Sequence, residues 1–358
     1  MYLPGGGSNP GQRKELTMPP ADTLSSTEAA RTRLRSLSSG FRAAATILTA
    51  NELGLFRLLA DGPAGGEEIR KLLRVSRRGI EVLLAALVSL EILRREGDTY
   101  RLPEGFEALF REGSPDDETF WLRHQHRLLK RWSQLERSVR NGRPVEAPGR
   151  PGRRSEEDLQ AYILAMEANT RLRAGPLLRV LEPDLAGVRR ILDLGGGPGG
   201  YLIALLRRLP EARGALLDMP EVLRIARERI EKAGLEDRVD YLPGDLFEGA
   251  FGSGYDLILA SNIVHIYGER ENRNLLRRCA ESLAPGGRLA VQEILLDEEG
   301  DGPPGAALFS LNMLVNTRDG RSYRASEIRG WLEAAGLEVD GPRRVEGVSG
   351  VLVGRKKV

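Results

Sequence analysis

Cysteine is nearly absent: the 358-residue chain has one, Cys279. A lone thiol closes no disulfide within the chain, so a reducing, cytoplasmic setting is expected, and its helical surroundings mark it as a small packing residue. Histidine is scarce too, with three. His124 and His126 stand two apart and would point to different faces of a helix, whereas zinc helices use a spacing of four, so no metal site is expected. Apolar runs such as Leu257 to Ala260 fall far short of the roughly 20 residues that a membrane helix needs. Met1 to Ser26 lacks the apolar core of a secretory signal. Charge of one sign is also missing: 53 Lys and Arg face 51 Asp and Glu, a formal net charge of +2. The basic residues are spread along the chain, which argues against a nucleic-acid partner.

The length exceeds that of a usual single domain, and the pattern changes along it. Residues 1–27, with Gly5-Gly6-Gly7 and Pro19-Pro20, read as a disordered tail. Between 28 and 112, Leu34, Leu37, Phe41, Ala44, Leu48 and Leu55 recur at helical intervals. Asp61-Gly62-Pro63 breaks the pattern, Glu67 to Leu73 makes a short helix, and Ser76 caps a longer one. A hairpin about Gly97-Asp98 follows, which completes a winged helix. Its role is packing and dimerisation or, with Arg74, Arg77 and Arg78, DNA binding. Residues 113–186 read as connecting helices, Phe120 to Val139 and Glu156 to Leu181, around a Pro/Gly/Arg-rich loop, Asn141 to Arg154. From 187 to 358 strands alternate with helices, the pattern of a parallel sheet covered on both faces. The strands are Arg190 to Leu194, Gly214 to Leu217, Val239 to Leu242, Leu257 to Ala260 and Arg288 to Ile294, with a terminal hairpin between Leu337 and Val353.

The organising stretch is Arg190-Ile-Leu-Asp-Leu-Gly-Gly-Gly-Pro-Gly-Gly200, a strand running into a glycine loop and then a helix N-terminus, the arrangement that cradles nucleotides. Two templates fit it. Gly195, Gly197 and Gly200 satisfy the dinucleotide pattern of an NAD(P)-dependent oxidoreductase. Asp193, Gly195, Gly197 and Gly199 satisfy Asp-x-Gly-x-Gly-x-Gly, which resembles the first motif of S-adenosylmethionine (SAM) methyltransferases. Asp218 ends the second strand where such folds place an acid on the ribose hydroxyls. His265, in Ser261-Asn-Ile-Val-His-Ile-Tyr267, follows the fourth strand, where ligands of open α/β sheets bind, and its ordinary pKa range suits a proton acceptor. Glu293, at the tip of the neighbouring strand, could hold the imidazole N–H and fix its tautomer.

With the Leu-x-Pro-Gly-Gly turn at Leu283 to Gly287, these residues resemble the small-molecule O-methyltransferase family that includes plant caffeate and isoflavone methyltransferases, acetylserotonin methyltransferase and bacterial natural-product tailoring enzymes. The resemblance covers the chain from about Arg33 and includes Asn51-Glu-Leu-Gly-Leu-Phe-Arg-Leu-Leu59. It implies a Rossmann-like α/β class I methyltransferase domain behind a winged-helix dimerisation domain, a homodimer, and SAM as cofactor. It also implies His265 as general base with Glu293 in support, a small aromatic acceptor, and O-methylation in preference to C- or N-methylation or to a non-catalytic DNA-binding regulator. SAM is then expected on Asp193, Gly195, Gly197, Gly199, Asp218, Met219, Asp245, Leu246 and Ser261, with Asp245 at the adenine amino group. The acceptor is expected among Trp121, Met166, Asn262, Phe309, Asn312, Met313 and Asn316. Two departures stand out: the family's His-Asp-Trp is here His265-Ile266-Tyr267, and Ser322 stands where many members carry a second acid.

Overall fold

The computed structural model describes residues 26–145 and 156–358. Most of the expected tail and of the expected Pro/Gly/Arg-rich loop lies outside the described residues. Helix α1 (Ser26–Ser39) buries no residue. Its Leu34 and Leu37, with Phe41 at the start of α2 (Phe41–Glu52), are 69, 73 and 58% exposed. After α3 (Leu55–Ala60) and β1 (Ala64–Gly65) come α4 (Gly66–Leu73) and α5 (Arg77–Ser89), the helix-turn-helix order expected. Ser76 Oγ accepts the Gly79 N–H at 3.1 Å, which satisfies one orphan donor of α5. The hairpin β2 (Arg94–Glu96) and β3 (Thr99–Arg101) completes a small sheet of order β1-β3-β2. Arg77, one of the three arginines considered for DNA, pairs with Glu67.

The expected helix from Phe120 to Val139 is two, α6 (Thr119–Trp132) and α7 (Leu135–Asn141). Ser133 marks the break, where its hydroxyl donates to the Lys130 carbonyl at 2.7 Å, a local bond that competes with the helical ladder. Helix α8 (Glu156–Leu181) then joins the two halves: Ile163 packs on Val222 and Ile225, and Leu177 and Leu181 enter the core beneath the sheet.

That sheet is built from β4 (Arg190–Leu194), α9 (Gly200–Arg208), β5 (Arg213–Asp218), α10 (Pro220–Lys232), β6 (Val239–Pro243), β7 (Tyr255–Ser261), α11 (Glu269–Ser282), β8 (Leu283–Leu296), α12 (Pro304–Asn316), β9 (Tyr323–Arg324), α13 (Ala325–Ala334), β10 (Leu337–Glu346) and β11 (Ser349–Lys356). The order is β10-β11-β8-β7-β4-β5-β6, with β9 beside β8. Strands β4 to β8 pair in parallel; β11 runs antiparallel between β8 and β10, with Gly350 opposite Glu293. The apolar strands bury both faces, Leu192 and Leu194 in one core and Ile191 in the other. From β4 the chain moves outward to β5 and β6, then crosses back to β7 and β8. The switch opens a crevice at the carboxyl ends of β4, β5, β7 and β8, where ligands bind in open α/β sheets.

Candidate active site

The glycine loop lies in that crevice. Gly195, Gly197 and Gly199 have φ of 62, 55 and 81°, a region that side chains disfavour. Gly196 is constrained for another reason: a Cβ there would sit 2.2 Å from Leu216 Cδ1 and 2.6 Å from Asp193 Oδ2. Both sequence templates leave that position free, so packing alone reveals it. Asp193 is sealed under the loop at 1% exposure, and its Oδ2 has no hydrogen-bond partner among the described residues. Burial, reinforced by the Asp218 charge, pushes its carboxyl up to about 7. Asp218 accepts the Gly197 N–H on Oδ2 at 2.8 Å and the Met219 N–H on Oδ1 at 2.7 Å. Burial pushes it to about 6 despite those bonds. Asp245 is exposed and uses Oδ1 on the Phe247 N–H in a tight turn, with Leu246 buried beside it. Tyr267, which stands where the family pattern has Trp, sets its ring edge-on to Phe247 at 4.7 Å. Burial, then the charges of Asp245 and Asp218, push its phenol up to about 12.

Past β7 the chain turns sharply. Asn262 takes φ of 57°, tolerable for asparagine, and its Nδ2 donates to Ser261 Oγ at 3.0 Å. Ser261 Oγ in turn donates to Gln292 Oε1 at 2.9 Å. The turn carries Val264 and His265 back over the tip of β8. There the buried Glu293 accepts the Val264 N–H on Oε1 at 2.6 Å and presents Oε2 to His265 Nδ1 at 2.7 Å. From behind, Asn272 Nδ2 holds the carbonyls of Val264 and Tyr267. A carboxylate only accepts, so Nδ1 carries the proton and Nε2 keeps its lone pair.

Helix α12 closes one side. Phe309 meets the His265 ring at 4.9 Å and 89°, and Met313 is buried. Asn312 and Asn316 bond to α6: Trp132 Nε1 donates to Asn312 Oδ1 at 3.0 Å and Arg131 Nη1 to Asn316 Oδ1 at 2.8 Å. Trp121 lies 6.1 Å from His124, which is 5.6 Å from Tyr162. His126 turns instead toward Glu52, at 3.8 Å. Met166 is half-buried on α8; its carbonyl takes the Thr170 hydroxyl, whose methyl leaves no room for a Cβ on Gly200. Ser322 is turned inward, with Oγ on the Ala306 carbonyl at 3.1 Å.

The crevice suits a cofactor with a diol and a cation: the Asp218 carboxylate stands against a glycine-rich loop that also covers the unpartnered Asp193 oxygen. Sheet order and loop define the class of SAM-dependent methyltransferases. The chain belongs to the O-methyltransferase family: residues 132–338 match its O-methyltransferase domain and residues 35–108 its dimerisation domain. It is similar to the 3-hydroxy-5-methyl-1-naphthoate 3-O-methyltransferase of Streptomyces sahachiroi, at 35% identity over 91% of this chain and 95% of that one. It is also similar to an N,N-dimethyltransferase of Streptomyces rimosus, at 29% identity over 88% and 93%. The structure of human N-acetylserotonin methyltransferase in complex with SAM superposes with a TM-score of 0.83 at 28% identity, covering 94% of this chain and all of that one (100%). This protein is therefore a SAM-dependent methyltransferase, and among the described residues no helix is long and apolar enough to cross a membrane.

Proposed function

We propose that the enzyme methylates a phenolic hydroxyl of a small aromatic metabolite, with His265 as general base. The observation that carries this reading is the 2.7 Å contact between His265 Nδ1 and the buried Glu293 carboxylate at the mouth of the crevice. Bound SAM supplies an electrophilic methyl group on a sulfonium sulfur. His265 Nε2 takes the acceptor's O–H proton as the oxygen–methyl bond forms and the methyl group's bond to sulfur breaks, which leaves S-adenosylhomocysteine. Glu293 holds the ring in the tautomer able to do so and balances the imidazolium that results. A phenol, with a reference pKa of about 10, is little ionised at neutral pH, whereas imidazole, at about 6.5, is free to accept. The glycine loop, Asp193, Asp218, Met219, Asp245, Leu246 and Ser261 bind SAM in this reading. Trp121, Met166, Asn262, Phe309, Met313 and the two asparagines of α12 surround the acceptor, and the reading needs no nucleic acid.

The division into residues 28–112 for dimerisation, 113–186 as connection and 187–358 for catalysis is part of the same proposal, as are the homodimer and a cytoplasmic site of action. The apolar stripe on α1 supports the dimer and the single buried cysteine fits a reducing compartment. The N,N-dimethyltransferase relative keeps an amine acceptor as a second reading. His265→Ala and His265→Gln should each lower methyl transfer to a phenol panel by about 10²- to 10⁴-fold while SAM still binds. Unchanged turnover would remove His265 from the chemistry, and turnover of anilines alone would favour the second reading.

A further inference from the structure

Two consecutive residues of β8 hold the turn that carries His265, and their side chains leave opposite faces of the strand. Glu293 holds the far half of the turn, at Val264 and His265. Gln292, fully buried, holds the near half. Its carbonyl accepts the Asn262 N–H at 2.9 Å. Its Oε1 accepts from Ser261 Oγ at 2.9 Å, and that hydroxyl oxygen accepts in turn from Asn262 Nδ2 at 3.0 Å. Asn262 is the residue that bends the chain, with φ of 57°.

The other end of the amide is fixed as well. Gln292 Nε2 donates to the buried Ser349 Oγ at 3.2 Å, at the start of β11. Tyr201, directly behind the glycine loop on α9, brings its phenol to the same group. Burial pushes that phenol above its ordinary range, while hydrogen bonding to Ser261, the Arg173 charge and hydrogen bonding to Gln292 draw it back. A buried amide is costly unless its bonds are made, and a leucine would fill the same space without that demand. Packing alone therefore does not account for a glutamine whose bonds converge on the residues that bend the histidine turn.

We infer that Gln292 is a positioning residue for methyl transfer: through Ser261 it fixes the left-handed bend at Asn262, and through that bend the approach of His265 Nδ1 to Glu293. Its effect on turnover rests on the reading of His265 as base, whereas its effect on the placement of the ring is measurable without turnover. Removal of the amide leaves Ser261 Oγ without its acceptor and Asn262 Nδ2 on an untethered hydroxyl. The bend then relaxes toward the negative φ that asparagine ordinarily prefers, and the imidazole swings away from the carboxylate. The backbone bond from Asn262 to Gln292 survives, so the loss is partial.

The test uses the full-length enzyme saturated with S-adenosylhomocysteine and follows, by proton NMR, the low-field resonance of the Nδ1–H that His265 shares with Glu293. The chain has three histidines, and His265→Gln identifies the signal by removing it. Gln292→Leu should lose the resonance and lower kcat for the best acceptor of the phenol panel about ten- to a hundredfold, with KM for SAM changed less than about threefold. Gln292→Glu has the same shape and still accepts from Ser261, so it should keep the resonance and bring kcat back to within about threefold of wild type. Where Gln292→Leu does not fold, Ser261→Ala cuts the same link from its other side and should lose the resonance likewise. A resonance that persists without the amide, or that is lost in Gln292→Leu and Gln292→Glu alike, would overturn the inference. A resonance lost from Gln292→Leu and kept in Gln292→Glu, with phenol turnover unchanged in both, would count for the placement by Gln292 and against His265 as the base.

Discussion

Asp193 and Asp218 show how a cofactor loop is tuned by what lies beneath it. Their folded values, about 7 and about 6, stand above the ordinary 3.8 because burial penalises the charge. Between these limits the folded apo-protein holds more protons than the unfolded chain, so its stability falls as pH rises through roughly 4 to 7. A cationic ligand favours the ionised pair, so SAM affinity should rise with pH over the same window and binding should release protons. S-adenosylhomocysteine, without the sulfonium charge, should release fewer. Calorimetry in buffers of different ionisation enthalpy measures this, and zero release at pH 6.5 would contradict it. Asp193→Asn should flatten the pH dependence of the melting temperature, raise it at pH 8 relative to wild type, and weaken SAM. Asp193, Asp218, His265 and Glu293 were legible in the sequence as candidates because each lies in or just past the carboxyl end of a parallel strand. Gly196 and the direction of Asn312 were not, because Leu216 and Trp132, which decide them, are distant in sequence and become neighbours only on folding.

Elements rather than single residues deliver the proposed base. The segment after α12 passes so close behind His265 that a Cβ on Gly320 would lie 2.2 Å from the His265 carbonyl oxygen and 2.7 Å from that of Ile266. Backbone cannot give way as a side-chain tip can. Gly320→Ala should therefore shift the histidine turn and lower kcat by about ten- to a hundredfold with little effect on SAM affinity, since small misplacements of a reacting group are costly. Titration of SAM together with steady-state kinetics separates the two, and an unaltered kcat would show that the turn absorbs the methyl group. Periodicity located β4 and α8 to the residue, since a short apolar run that stops at a glycine loop and a helix 26 residues long are strong signals. It missed the break between α6 and α7, which turns on one serine bond to the preceding turn.

For the whole molecule, the order of strands was beyond sequence reading: alternation predicts a parallel sheet, but only packing decides that β11 lies inside it. Leu34, Leu37 and Phe41 are exposed together, and the last two lie within the residues that match a dimerisation domain. Leu37→Glu with Phe41→Glu should turn a dimer into a monomer by light scattering. A wild-type protein that is already monomeric would argue against the assignment.

The inward place of β11 also bears on how the enzyme is made. Residues 349–356 flank β8, the strand that carries Glu293. During synthesis the N-terminal unit, whose buried core extends to Phe110, can fold while the catalytic half is still on the ribosome. Until residues 349–356 emerge, β8 has an open edge, free to pair with another nascent chain. A chain stopped before residue 349 would therefore carry a finished N-terminal unit and a catalytic half whose β8, with Glu293, lacks its β11 neighbour.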